Sequence, residues 1–123
     1  MRLAGEPEQA FSAADLAAEF RVSRNHLAKV MSALSAGGYL RTRRGGGGGA
    51  MLARRAEDIR LGDVVAFLEM DQVLVDCFGA GAGHCTLSPQ CRLKSRLAQA
   101  ETAFIDDLNR STLADCVYAP MVF

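Results

Sequence analysis

Between Phe11 and Gly38, apolar residues recur three and four positions apart, the spacing that gathers them on one face of an α-helix. In "FSAADLAAEF", Ser12 followed three residues later by Asp15 reads as a helix start in the manner of a capping box, and Leu16 with Phe20 forms an apolar pair on one face of a short helix. After the tight connection "RVS", the segment "SRNHLAKVMSALSAGG" offers Ser23 as an N-cap, an apolar stripe of Leu27, Val30, Met31 and Leu34, and Gly37 and Gly38 as a stop. The period then changes. In "YLRTRRGGGGGAMLARR", residues 39–42 and 50–53 suit two short strands around an arginine and glycine tip. Helical spacing returns in "LGDVVAFLEMD", which presents Val64, Val65, Phe67 and Leu68. It returns again from Ser88, an N-cap followed by Pro89 at the first helical position, with Leu93, Leu97, Ala100, Phe104 and Leu108 as the stripe. A helix of about twenty residues is too long to bury within so small a chain, so a partner helix is expected, most simply from a second copy.

Opposite the stripe of the second helix lie Arg24, Asn25, Ala28, Lys29 and Ser32, side chains suited to phosphates and base edges and of little bulk. Ser23 stands at the start of that face. His26 falls at the edge of the stripe and reads as a packing or capping residue. Arg41, Arg43 and Arg44 flank five successive glycines, whose backbone can lie close to DNA. Helix, recognition helix and basic hairpin in this order predict a mainly α protein: a winged helix-turn-helix over residues 1–60, then a helix, a cysteine loop and a dimerisation helix over 61–123.

Charge supports that division. The formal net charge is zero, but residues 21–60 hold nine basic side chains against two acidic ones, whereas from Leu61 onward four basic face eight acidic. The first half is suited to a polyanion and the second is not. Half of the 123 residues are apolar, enough for a core, yet no apolar run nears the ~20 residues of a membrane span and no signal peptide is visible. A soluble, cytoplasmic protein is expected.

In that compartment thiols stay reduced, so clustered cysteines point to ligands or redox groups. Cys77, Cys85 and Cys91 are spaced C-x7-C-x5-C around the glycine-rich "FGAGAGH", a loop able to fold its sulfurs toward one point. Cys91 is expected at the third position of the long helix, where free N–H groups and the positive dipole end favour bound negative charge. Three readings stay open on the residues alone. An iron–sulfur cluster would take its fourth ligand from elsewhere, a disulfide switch would pair two of the thiols, and zinc would need a ligand such as His84. Cys116, in "TLADCV", reads as a buried thiol filling a core position.

The combination of "SRNHLAKVMSAL", "GGYLRTRRGGGGG", "RLGDVV", "HCTLSPQCRLK" and "STLAD" resembles the NsrR group of nitric-oxide-sensing repressors, within the winged-helix regulator family that also includes IscR. The resemblance runs over nearly the whole chain. It implies a homodimer that binds a double-stranded operator through residues 23–32 and the wing, with a 4Fe-4S cluster on Cys77, Cys85 and Cys91 and nitric oxide as the signal. It also implies a further helix ahead of "MRLAGEPEQAFS", so that Met1 reads as an internal methionine of a shortened chain. Leu16, Phe20, Leu27, Val30 and Met31 are then expected to stay partly wet.

Other classes fit less well. A sensor of iron–sulfur status or of thiol redox state, in the same family, is the alternative, although "RLKSRL" after Cys91 has no histidine to complete a site of the former kind. An electron-transfer protein has no use for a basic wing. Catalysis is not expected, since the two histidines lie beside no acid or nucleophile at motif spacing.

Overall fold

In a computed structural model of the chain, which describes residues 1–46, 48–79, 85–87 and 90–119, Ser12 opens the first long helix as the sequence predicts. Its Oγ accepts from the Asp15 amide at 3.1 Å and donates to the Asp15 carboxylate at 2.6 Å, which satisfies an otherwise free N–H at the start of α2 (Ala13–Phe20). A single helical turn, α1 (Arg2–Gly5), precedes it. Arg21 ends α2 in the left-handed region, at φ 55° and ψ 44°, a conformation rare for a residue with a side chain. Ser23 then caps α3 (Arg24–Ala36), its Oγ accepting from the His26 amide at 3.4 Å. The His26 side chain is exposed, and it is the backbone amide of His26 that takes part in the cap.

Gly37 closes α3, Gly38 follows at φ +78°, and the Tyr39 amide returns to the Leu34 carbonyl at 2.9 Å. Because Tyr39 is still closing the helix, the strands run one residue away from their expected limits, as β1 (Leu40–Arg43) and β2 (Gly49–Leu52). They pair antiparallel, with Leu40 opposite Leu52 and Arg43 opposite Gly49. Phe11 adds a third piece of backbone, exchanging hydrogen bonds with Ala50 at 2.9 and 2.8 Å. A Cβ on Gly49 would lie 2.5 Å from the Phe11 backbone, so only glycine permits this approach.

Two units are distinguished, Met1–Ile59 with Thr112–Phe123, and Arg60–Ser111. The first has a core of Phe11, Leu16, Ala17, Tyr39, Leu40, Ala50, Met51 and Ile59. Leu16, expected to be partly wet, is 3% exposed because it belongs to this core, whereas Phe20 is 43% exposed and Leu27, Val30 and Met31 are half-buried. The Leu113 amide donates to the Ile59 carbonyl at 2.8 Å and anchors a 3-10 turn, Leu113–Cys116. Cys116 is half-buried there rather than enclosed in a core.

In the second unit, α4 (Leu61–Leu68) packs against α5 (Arg92–Leu108). Arg60 at the N-cap of α4 makes no side-chain cap, and Asn109 supplies one from the end of α5. Its Oδ1 accepts from the Asp63 amide at 2.9 Å and its Nδ2 donates to the Asp63 carboxylate at 3.0 Å. The described helix α5 begins later than the sequence suggests: Cys91 is its N-cap, not its third residue, and the Gln90 amide donates to the Leu87 carbonyl at 3.2 Å. Ser88 and Pro89, the expected start, lie outside the described residues. The order helix, turn, helix, hairpin is a winged helix-turn-helix, and the protein is mainly helical.

Candidate functional site

A candidate recognition surface is set by the N-cap at Ser23 and the period of α3. With Leu27, Val30, Met31 and Leu34 turned inward, Arg24, Asn25, Lys29 and Ser32 are left exposed. The hairpin that follows exposes Arg41 near its base, opposite Met51, and Arg43 and Arg44 toward its tip. Arg41 spends one donor within the hairpin, Nε to the Leu52 carbonyl at 3.3 Å. Among the described residues, none of Arg24, Lys29, Arg43 and Arg44 is ion-paired. Four cations left without a close carboxylate among the described residues are an arrangement that a phosphate backbone neutralises. Gly47, in the middle of the wing tip, lies outside the described residues.

All four cysteines are free. Cys77 is half-buried in a 3-10 turn, Asp76–Phe78, and Cys91 is half-buried at the head of α5. The two line one cleft of about 840 Å³ together with Val73, Phe78, Lys94 and Ser95. Cys85 is exposed and lies outside that lining, beside a stretch, 80–84 with His84, that is not described. Among the described residues no three cysteine, histidine or acidic side chains are gathered as a metal-holding group. As a donor set, three unpaired thiols suit iron in a cluster, and two of them already share a cleft walled by Val73 and Phe78.

The family model of Rrf2, described as an iron-dependent transcriptional regulator, matches residues 1–119. The chain belongs to the Rrf2 family. Among curated relatives, the HTH-type transcriptional regulator NsrR of Bacillus licheniformis is 42% identical over 103 residues, covering 84% of this chain and 72% of that protein. The NsrR of Geobacillus kaustophilus is 41% identical over 110 residues, 89% of this chain and 75% of the relative, and that of Bacillus subtilis is 40% identical over 114 residues, 93% and 78%. Among solved structures, IscR of T. potens superposes with a TM-score of 0.71 at 25% identity, over 93% of this chain and 74% of that one. CymR of B. subtilis, at 24% identity and a TM-score of 0.68, shares the fold. This Rrf2 protein is a transcriptional regulator of the NsrR type and not an enzyme.

Two side chains of this Rrf2 regulator escaped the sequence reading. Lys94 lines the thiol cleft, and the signal was present, since a residue three after Cys91 falls on the same helical face. Arg54 stacks on Tyr39 with 4.4 Å between guanidinium carbon and ring centroid. No local pattern marks that contact, because its partner lies fifteen residues earlier in the chain. Among the described residues, no helix is long and apolar enough to cross a membrane.

Proposed function

We propose that this Rrf2 regulator is a homodimeric repressor that binds operator DNA through α3 and the wing and senses nitric oxide through an iron–sulfur cluster held by Cys77, Cys85 and Cys91. The observation that carries it is the presence, in one chain, of an uncompensated basic recognition surface and of two unpaired thiols on one cleft with a third in the intervening loop. Relatives at 40–42% identity named NsrR support the assignment.

Ser23, Arg24, Asn25 and Lys29 are assigned to the operator from the helix, and Arg41, Arg43 and Arg44 from the wing. The cluster, of the 4Fe-4S type, would supply iron centres that react with nitric oxide. Around it the chain's own contribution is the three thiols as ligands, the apolar side chains of Val73 and Phe78 beside them, and the Lys94 ammonium and Glu101 carboxylate on the same cleft. Dimerisation is assigned to the outer face of α5, where Leu93 is 63% and Phe104 58% exposed on a stripe that α4 does not cover.

The test is anaerobic purification with counts of iron and sulfide, followed by titration with nitric oxide while operator binding is followed. Visible absorbance that changes as DNA is released is the expected result. Protein that stays colourless after reconstitution with iron and sulfide would sink the reading. One observation favours a second reading: Cys77 and Cys91 share a cleft that Cys85 does not line, as a pair that joins on oxidation would. A thiol-redox regulator of that kind loses two titratable thiols on mild oxidation of the iron-free protein and releases DNA when it does so.

A further inference from the structure

Arg54 lies two residues beyond β2, one of nine basic side chains in residues 21–60. From its place above the Tyr39 ring, Nε donates to the Gly38 carbonyl at 3.2 Å and Nη2 to the Gly37 carbonyl at 3.3 Å. Those carbonyls belong to the turn that ends the recognition helix, where intrahelical partners run out and a cation is favoured. The Tyr39 ring beneath the guanidinium is buried, and the Ala53 amide donates to the Tyr39 carbonyl at 2.9 Å. A side chain from the far end of the wing hairpin therefore grips the far end of α3.

Arg54 is exposed, so it has two possible roles on a DNA-binding surface. It either meets a phosphate, as Arg43 and Arg44 are assigned to do, or it holds the two reading elements in register. Its contacts favour the second: two of its five N–H donors are turned onto backbone carbonyls of the turn after α3, and one face of its plane lies on an aromatic ring.

We propose that Arg54 is a positioning residue for DNA recognition, fixing the angle between α3 and the wing without itself contacting DNA. The proposal rests on the reading of α3 and the wing as the DNA surface. Base contacts from a helix and phosphate contacts from a hairpin are made together only if the angle between the elements is held. Loss of the clamp therefore lowers sequence preference, and phosphate binding in general survives.

The experiment compares the full chain with Arg54→Ala, Arg54→Lys and, as a phosphate-contact control, Arg44→Ala. The probes are a duplex selected by the unmodified protein from a random pool and a scrambled duplex of equal length, each measured across a salt series. Lysine keeps the charge and loses both the fork and the planar stack. Both Arg54 variants are expected to lose on the order of tenfold in affinity for the selected duplex, with scrambled-duplex affinity and salt slope unchanged, and lysine no better than alanine.

Arg54→Lys behaving like the unmodified protein, with Arg54→Ala weakening both duplexes and lowering the salt slope by about one as Arg44→Ala does, would overturn the proposal in favour of a phosphate contact. Unchanged affinity in both variants would overturn it too. Amide exchange supplies the readout that needs no DNA. Faster exchange confined to Gly38, Tyr39 and Ala53 supports the clamp, and general acceleration through Met1–Ile59 reduces Arg54 to a fold residue. If the unmodified protein selects no duplex at all, the DNA reading itself has failed, and exchange then reports only whether Arg54 holds the turn.

Discussion

Arg2 has 9% of its side chain exposed, with Glu6 at 2.8 Å, Glu19 at 2.9 Å and the Phe11 ring centroid 4.5 Å from its guanidinium carbon. The carboxylates differ, since the Glu6 side chain is 40% exposed and its pairing is largely screened, whereas that of Glu19 is 28% exposed. Arg2→Ala is expected to lower stability by about 1 to 2 kcal/mol, Glu19→Gln by less and Glu6→Gln by almost nothing, as read by urea denaturation. Among the cysteines, Ser in place of Cys77, Cys85 or Cys91 is expected to lower bound iron severely. Cys116→Ser is not, because only the other three share the glycine-rich segment and the start of α5. Bound iron that falls as far with Cys116→Ser as with Cys91→Ser would refute this ligand set. The three thiols were legible from spacing, whereas the environment of Arg2 was not, since Phe11 and Glu19 reach it only through the fold.

The hairpin shows how an element constrains its own glycines. A side chain at Gly49 meets the Phe11 backbone, while one at Gly46 meets nothing within 4 Å. Gly49→Ala is expected to break the Phe11 to Ala50 bridge and cost about 2 to 4 kcal/mol, with Gly46→Ala changing stability by less than about 0.5 kcal/mol. Thermal unfolding of the pair checks this, and equal effects would show that the run of glycines acts only as a flexible tip. On DNA, α3 and the wing are expected to fail differently. Arg24→Ala and Lys29→Ala relax sequence preference by about 1 to 3 kcal/mol, and Arg43→Ala and Arg44→Ala weaken every duplex alike and flatten the salt slope. Identical affinities for selected and scrambled duplexes across all four variants would reject the assignment.

For the molecule as a whole, α5 presents two faces. One, with Ile105 and Leu108 half-buried, lies toward α4, and the other carries Leu93 and Phe104 into solvent. Apolar side chains aligned in this way on a 17-residue helix suit a second copy across a two-fold axis. The double variant Leu93→Glu with Phe104→Glu is expected to sediment as a monomer and to lose at least about tenfold in operator affinity, since a dimer holds two recognition helices about one turn of DNA apart. A double variant that remains dimeric would place the interface elsewhere.

The local chemistry of this protein was decided along the chain itself. Ser12 and Ser23 cap their helices, four apolar residues at helical spacing set which side of α3 faces inward, and the arginines around the glycine run mark the wing, because capping, periodicity and turn preference act over three or four residues. Contacts between distant segments were decided by tertiary structure. Leu16 is buried where the sequence predicts a partly wet side chain, Asn109 caps a helix that begins nearly fifty residues earlier, Cys91 stands at the N-cap of α5, and Arg54 clamps the turn after α3. Each depends on where a second segment comes to lie in space, and the spacing of residues along one segment carries no information about that.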